Sequence, residues 1–255
     1  VIDASGQERS LLGEPPAVGP GSEALVSGVG LEWLVEVPHS CWERWSDRLA
    51  FCLGSDWVAQ GYGWVFPMQA PRLKVGVCRL LDPSREQLPL GGVLDRLIER
   101  LLEPAERQAL LVVDRHGGRI RSSIRRREPH QRGRLVGLGD AVSTANLLGG
   151  EGIRHALTSA RVLAPLLLAE LRAEGPGLNR YPLELRRALG WRWSLSGRLA
   201  RRTWLGLQGS AADRRLGSLL TSLEEQNASA LTDLLFGYRF ERYGLRALPY
   251  LLGLR

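Results

Sequence analysis

Long apolar runs are missing from this 255-residue sequence. A membrane-spanning helix needs about 20 predominantly apolar residues in a row. The longest apolar stretch here, Val162 to Ala169, is far shorter and contains Pro165. The opening residues do not read as a secretory leader. Cysteine is scarce: Cys41, Cys52 and Cys78 form an odd set without paired metal-ligand spacing, which reads as reduced, buried thiols in a cytoplasmic protein. The 4 histidines are scattered and make no HxxxH pair or His/Cys cluster, so no metal is expected. The nucleophile elbow G-x-S-x-G is absent as well, which removes the usual signature of an α/β-hydrolase. Lysine is almost missing, Lys74 being the single one among 34 basic residues. Arginine and lysine serve equally on a solvated face, so this ratio fits a coding bias.

What is present is a hydrophobic content of 44%, enough for one large domain or two small ones with a real core. The formal net charge of +7 is unevenly placed: residues 1–179 hold 21 basic and 21 acidic side chains, residues 180–255 hold 13 and 6. The chain opens with "VIDASG", a strand of residues Val1–Ser5 ending at a glycine turn, and a Pro- and Gly-rich loop follows from Gly13 to Ser22. Short runs at Ala24–Val29, Leu31–Val37, Arg48–Leu53, Tyr62–Phe66 and Leu73–Cys78 are rich in Val, Trp, Phe and Leu and are predicted to pair as antiparallel strands. Val93, Leu94, Leu97, Ile98, Leu101 and Leu102 mark an amphipathic helix. Leu110–Val113 reads as a further strand, Arg119–His130 as a charged connector, and the chain beyond Gly175 as helical.

The most informative stretch is residues 134–159, "RLVGLGDAVSTANLLGGEGIRHALTS". Leu135–Leu138 has strand length and ends at Gly139. From Glu151 onward Ile153, Ala156, Leu157, Ala160, Leu163, Ala164, Leu167 and Leu171 recur at helical spacing. The unit is a strand, a loop and a helix, and the loop carries one carboxylate and several glycines. A helix start leaves its first N–H groups without intrahelical partners and carries about half a positive charge. Gly149, Gly150 and Gly152 let a ligand ring approach the backbone closely, and Asp140 can accept hydrogen bonds from sugar-type hydroxyls. Read without its neighbours, the stretch is equally a turn capped by Asp140.

"GDAVSTANLLGGEGIRHALTSAR" resembles the second FAD-binding motif of the glutathione-reductase-type flavoproteins, in the long form of the geranylgeranyl reductase family. The resemblance implies that Asp140 holds the ribityl chain of FAD. It also implies that Gly139 with Gly149, Gly150, Gly152 and Ile153 surround the cofactor, the last four on the pyrimidine side of the flavin. The sequence departs from the family pattern at Leu147, where proline is common, and at Val142-Ser143, where Ala-Gly is usual. Two more stretches follow the family order. "VIDASG" is similar to the Ala-Thr-Gly strand that closes the FAD domain, with Ser5 for Thr. "GYGWVFP" is similar to the Tyr-x-Trp-x-Phe-Pro motif, whose Tyr62, Trp64, Phe66 and Pro67 would line a lipid cavity beside the flavin; Ala59 stands where that motif often begins with proline. On residues alone Tyr62, Trp64 and Phe66 are an ordinary aromatic strand with alternate residues on one face.

The resemblance implies an α+β or α/β fold: residues 1–13 and 110–175 as the remainder of a glutathione-reductase-type FAD domain, residues 14–109 as an inserted antiparallel substrate-binding sheet with a helix, and residues 176–255 as a helical C-terminal region. It implies an FAD-dependent oxidoreductase that reduces C=C bonds of an isoprenoid, with NADPH or another reductant as electron donor. A related flavin monooxygenase, a lycopene-cyclase-like protein and a non-catalytic remnant or subunit are the alternatives. The last has weight because the G-x-G-x-x-G strand–helix unit that cradles the FAD pyrophosphate is absent; "GPGSEA" (Gly19–Ala24) matches its spacing but follows a proline-rich loop rather than a strand. The expectation is a chain that begins after that unit, through a truncated frame, a split gene or a fragment, and that is inactive without a missing N-terminal FAD-binding half. The strands Val1–Ser5 and Leu135–Leu138 are then expected to lack their parallel neighbours. "RIRSSIRRR" (Arg119–Arg127) lacks interleaved aromatics and is a solvated loop rather than a nucleic-acid site. The basic C-terminal segment, with Arg198, Arg201, Arg202, Arg214 and Arg215 around Trp204, suits peripheral contact with an anionic membrane. His155 reads as a packing or surface residue.

Overall fold

A computed structural model describes residues 1–13, 26–122, 128–173, 177–224 and 228–240. In chain order the elements are β1 (Ile2–Asp3), β2 (Val26–Glu36), α1 (His39–Trp45), β3 (Ala50–Leu53), β4 (Gly61–Pro67), β5 (Arg72–Leu80), α2 (Leu90–Leu101), α3 (Pro104–Gln108), β6 (Leu111–Ser122), β7 (Gln131–Arg132), β8 (Leu135–Gly137), α4 (Ile153–Leu171), α5 (Tyr181–Gly206), α6 (Ser210–Glu224) and α7 (Ala228–Leu235). The chain is mixed α/β and forms two compact units. One comprises Val1–Ser27, Ile120–Arg201 and Ser222–Arg255, the other Gly28–Arg119 and Arg202–Thr221.

The second unit is built on a five-stranded sheet in the order β3-β4-β5-β2-β6, with β3-β4, β4-β5 and β5-β2 antiparallel. β4 shows how its sequence chooses a face. Gly61, Gly63 and Val65 are buried, whereas Tyr62, Trp64 and Phe66 are half-buried on the other side. The inward side is covered by α2, whose Val93, Leu94, Leu97 and Ile98 pack with Val35, Val65, Leu73, Val75 and Val77. The helix lies close on the sheet because β4 is glycine there: a Cβ built on Gly63 would fall 2.8 Å from Leu97 Cδ2. At the far end α3 is held by a capping box between Glu103 and Glu106, and Arg44 forks onto the Glu106 carboxylate.

Two expected strands, Ala24–Val29 and Leu31–Val37, are one continuous strand from Val26 to Glu36, residues 24 and 25 lying outside the described residues. Gly30 does not break it because Gly30 pairs across to Cys78 in the β2–β5 ladder. The strand expected at Leu110–Val113 continues to Ser122 and takes in the first residues of the supposed connector. Residues 123–127 of the "RIRSSIRRR" stretch, the "GPGSEA" match and most of the Gly13–Ser22 loop lie outside the described residues. The helix α1 leaves no periodic signal in the sequence because its seven residues are too few to display one.

The first unit holds a three-stranded sheet ordered β1-β8-β7. Here one expectation is corrected. β1 and β8 are each other's parallel neighbours, with Ile2 opposite Val136 and Asp3 opposite Gly137. β1 remains an edge strand among the described residues, and Val1 and Ile2 are exposed. β1 is also shorter than Val1–Ser5. The Asp3 carboxylate accepts the Ser5 amide (3.0 Å) and hydroxyl (2.5 Å) and the amides of Leu11 (3.0 Å) and Leu12 (2.8 Å), a local side-chain pairing that competes with the ladder and ends the strand. Below the sheet Val136 and Val142 pack with Leu163 of α4 and with Leu178, Tyr181 and Leu185.

Leu97→Ala is expected to destabilise the chain by roughly 2–5 kcal/mol through lost burial and a residual cavity. Urea unfolding followed by circular dichroism checks this; an unmoved midpoint would show that α2 does not hold the sheet.

Candidate functional site

The site in the first unit begins where β8 stops. Gly139 has φ 60°, a left-handed value that glycine adopts without strain. Its amide donates to Ser159 Oγ at 2.9 Å, and a Cβ at this position would come within 3.1 Å of Ala156. The glycine therefore lets the turn rest directly on α4. A short 3-10 turn, Gly139–Val142, carries Asp140 and ends at Ser143 in the left-handed region. Asp140 Oδ1 accepts the Thr144 hydroxyl at 3.3 Å. The other carboxylate oxygen, Oδ2, lies 3.5 Å from where a Gly152 Cβ would stand. Burial pushes the Asp140 carboxyl above its ordinary value, while the Thr144 hydroxyl, the Ala145 amide and the charge of His155 pull the other way.

The loop between this turn and α4 is closed by a two-way backbone bridge, Asn146 N to Glu151 O (2.7 Å) and Glu151 N to Asn146 O (3.0 Å). The buried Asn146 side chain accepts the Leu148 amide at 2.9 Å and donates to Ser196 Oγ at 2.5 Å. Gly150, at φ 67°, makes the reversal. α4 then starts at Ile153, 83% exposed, and its N-cap residue Gly152 provides no side-chain cap. The N-cap residue thus leaves the positive end of the helix dipole without a side-chain cap of its own. Gly139, Asp140, Gly149, Gly150, Gly152 and Ile153 are all gathered on this one turn and helix start.

Beside it lies a cluster that the sequence did not disclose. Glu151 is hydrogen-bonded by Arg154 (Nη2 to Oε2, 2.6 Å) and by the hydroxyl of Tyr238. His155, only 5% exposed, places Nε2 2.9 Å from that hydroxyl and 3.6 Å from Glu151 Oε2. Burial by itself would raise the Glu151 carboxyl, but the contacts from His155, Arg154 and Tyr238 overcome it and set the value at about 2. Burial and the Glu151 carboxylate push the Tyr238 phenol well up. His155 is therefore a buried, hydrogen-bonded packing residue. Tyr238 could not be paired with Glu151 from the sequence because 87 residues separate them.

Two groups distant in sequence fix the turn. Arg9, 2% exposed, donates to the carbonyls of Gly13 (2.8 Å), Ala141 (2.6 Å) and Pro129 (2.8 Å). The Asp3 carboxyl would be raised by burial, yet the bonds from Ser5, Leu12 and Leu11 bring it down to about 2. Together they tie the residues after β1 to the Asp140 turn.

In the second unit, the outer face of β4 is an aromatic ladder. Tyr62 and Trp64 have ring centroids 5.9 Å apart, Trp64 and Phe66 6.1 Å, and Phe51 of β3 meets Phe66 at 5.3 Å. Tyr62 also packs on Trp204 at 5.3 Å. The indole of Trp64 covers Gly76, its cross-strand partner; a Cβ there would sit 2.2 Å from Trp64 Cζ2. Its indole N–H donates to Glu32 Oε2 at 2.9 Å, and Lys74 pairs with the same carboxylate at 2.9 Å. Pro67 ends the strand, half-buried. Trp204 is buried, while Arg198, Arg202, Arg214 and Arg215 are exposed and Arg201 is half-buried. Cys41 and Cys52 are buried and Cys78 half-buried. No described helix is long and apolar enough to cross a membrane, and no metal-holding group of His, Cys, Asp or Glu occurs among the described residues.

No protein-family model matches the chain. It is 27% identical over 156 residues to digeranylgeranylglycerophospholipid reductase of Methanocella arvoryzae, a match covering 60% of this chain and 36% of that protein. A geranylgeranyl bacteriochlorophyll reductase-like protein of Thermoplasma acidophilum is similar over 95% of this chain and 60% of its own, with a TM-score of 0.66 and 20% identity. Both likenesses are to proteins described as geranylgeranyl reductases or as like them, the first in sequence and the second in fold. It spans little more than a third of the curated relative's length. The fold is also shared with p-nitrophenol 4-monooxygenase of Pseudomonas putida, over 93% of this chain and 58% of that one, at a TM-score of 0.60 and 18% identity. Flavin-dependent brominase structures are similar over 80% of the chain.

The Glu151 carboxyl is lower in the folded chain, at about 2, than its ordinary 4.5. Its stabilisation is therefore present above pH 4.5 and is lost as pH falls towards 2. Glu151→Gln should lower thermal stability at neutral pH, and the gap to the parent chain should close over that acid range. A gap that stays constant with pH would show that the carboxylate charge contributes nothing.

Proposed function

We propose that this chain forms the ribityl- and ring-contacting part, with the substrate sheet, of an FAD-dependent oxidoreductase that reduces C=C bonds of an isoprenoid. The observation that carries the reading is the Asp140 carboxyl set beside the open, uncapped start of α4 at Gly152. A buried carboxylate next to exposed helix amides suits a ligand that offers hydroxyls on one side and gathers negative charge on the other. FAD, when bound, supplies hydride chemistry that no side chain can. Asp140 would accept hydrogen bonds from ribityl hydroxyls. Gly149, Gly150, Gly152 and Ile153 would lie against the ring, where the helix start favours negative charge.

Tyr62, Trp64, Phe66 and Pro67 would line the isoprenoid cavity and keep water out. NADPH or another reductant is the proposed electron source. The sequence holds no glycine-rich strand–helix turn for the adenosine and pyrophosphate; β1 runs instead into a 3-10 turn at Gly6–Glu8. The likeness to a monooxygenase fold gives the second reading, hydroxylation, and oxygen consumption dependent on substrate would favour it over reduction.

Riboflavin, which carries the ring and ribityl chain alone, gives the direct test by fluorescence titration. Asp140→Ala should weaken its binding about ten- to a hundredfold, the loss of charge-assisted bonds worth roughly 1.5–3 kcal/mol. FAD should bind this chain no tighter than riboflavin. Much tighter FAD binding, or indifference to Asp140→Ala, would return Asp140 to a turn-capping role. Trp64→Ala should leave riboflavin affinity intact and impair prenyl turnover in a protein that carries the whole FAD site.

The exposed Arg198, Arg202, Arg214 and Arg215 are proposed to touch an anionic membrane surface, at about 1 kcal/mol per basic residue. Flotation with anionic liposomes should fall with salt; flotation indifferent to salt and to lipid charge would mark these arginines as plain surface charge.

A further inference from the structure

The second unit carries a cavity on the helix-covered side of its sheet, away from the aromatic ladder. Loop residues 55–60 and 85–88, the end of β5 and the side of α2 enclose about 740 Å³. Arg79, Arg85, Arg96 and Arg100 line it, against two carboxylates, Asp56 and Glu86.

Three of these guanidiniums find only backbone oxygens among the described residues. Arg79 donates to the Leu88 carbonyl, Arg96 to Gly92 O at 3.2 Å and Arg100 to Asp56 O at 2.7 Å. Arg85 has Asp82 at 3.7 Å. A carbonyl satisfies a donor without cancelling its charge, so the cavity keeps a surplus of positive charge. Arg79 Nε is buried without a hydrogen-bond partner. Burial also draws the Arg79 guanidinium below its ordinary value, the strain that a nearby anion relieves.

The wall is rigid. Arg100 sits over Trp57, its Cζ 3.7 Å from the ring centroid. Gln60, 4% exposed, is held at φ 64°, a conformation costly for a residue with a side chain and kept only where its surroundings enforce it. Its amide donates to Leu207 O at 3.1 Å, its carbonyl accepts Leu80 N at 3.0 Å, and its side chain donates to Asp82 Oδ2 at 3.1 Å. Gly61 beside it tolerates no Cβ, which would fall 1.8 Å from the Cys78 carbonyl oxygen.

We infer that this cavity binds a phosphate or diphosphate group, with Arg79, Arg96 and Arg100 supplying the charge. Guanidinium forks match phosphoryl oxygens in pairs, and three guanidiniums held by backbone carbonyls rather than by carboxylates among the described residues suit a phosphate dianion. The volume exceeds one phosphate, and Val58, Leu88 and Val93 leave an apolar wall for whatever the phosphate is attached to. The inference does not depend on the flavin reading.

Calorimetric titration of the full chain with inorganic pyrophosphate, and separately with octyl phosphate, tests it. Arg79→Gln and Arg96→Gln should each weaken binding about tenfold or more and flatten its salt dependence. Arg96 is exposed, so its variant remains informative if Arg79→Gln fails to fold. Arg115→Gln, at a guanidinium stacked on Trp33 outside the cavity, should change nothing. Octyl phosphate binding as tightly as pyrophosphate or tighter assigns the site to a lipid headgroup, and much weaker binding assigns it to free phosphates. Absence of binding, or binding that neither cavity variant alters, overturns the inference.

Discussion

A carboxylate and a guanidinium, both buried and both satisfied by the backbone, hold the first unit together. Asp3 gathers the amides of Ser5, Leu11 and Leu12, and Arg9 gathers the carbonyls of Gly13, Pro129 and Ala141. A buried charge is tolerable only when its hydrogen-bonding capacity is used, so neither residue can be truncated without leaving several backbone groups stranded. The Ala141 carbonyl that Arg9 holds directly follows Asp140. The orientation of the candidate ligand-binding carboxylate is thus set more than 130 residues away, at the start of the chain. Two-residue β1 is too short to fix this geometry through its ladder.

The same logic separates what the sequence discloses from what it conceals. The alternation Gly61, Gly63, Val65 against Tyr62, Trp64, Phe66 is local, and the strand and both its faces follow from it. The spacing of Val93, Leu94, Leu97 and Ile98 likewise gives α2 and its buried side. The Gly-Asp turn and the glycine-led helix are legible because backbone geometry demands glycine at Gly139 and Gly150. Pairings between distant polar residues leave no periodic trace. Glu151 with Tyr238, Asn146 with Ser196, and Asp3 with the amides behind it are visible only once the chain has folded. The arginines of the second-unit cavity are equally silent, because on a helix or loop each resembles any solvated charge.

Glycine has opposite uses in the two units. At Gly152 its missing side chain leaves room beside the Asp140 carboxylate and the helix start. At Gly61 the same absence lets β4 lie against the backbone of β5, and at Gly63 it lets β4 lie against α2. One residue type therefore marks both roomier and tightly packed places, and composition by itself cannot say which is which.

Trp64 and Gly76 make the point in another currency, that of divergence. The largest side chain of the sheet rests on the smallest, directly across the ladder. Neither position can drift alone: a methyl group at 76 displaces the indole from its bond to Glu32, and a smaller ring at 64 uncovers the strand beneath. Relatives that have changed one of these positions should have changed the other in the compensating direction, with the residue at 32 switching between acid and neutral according to whether an indole remains to be held.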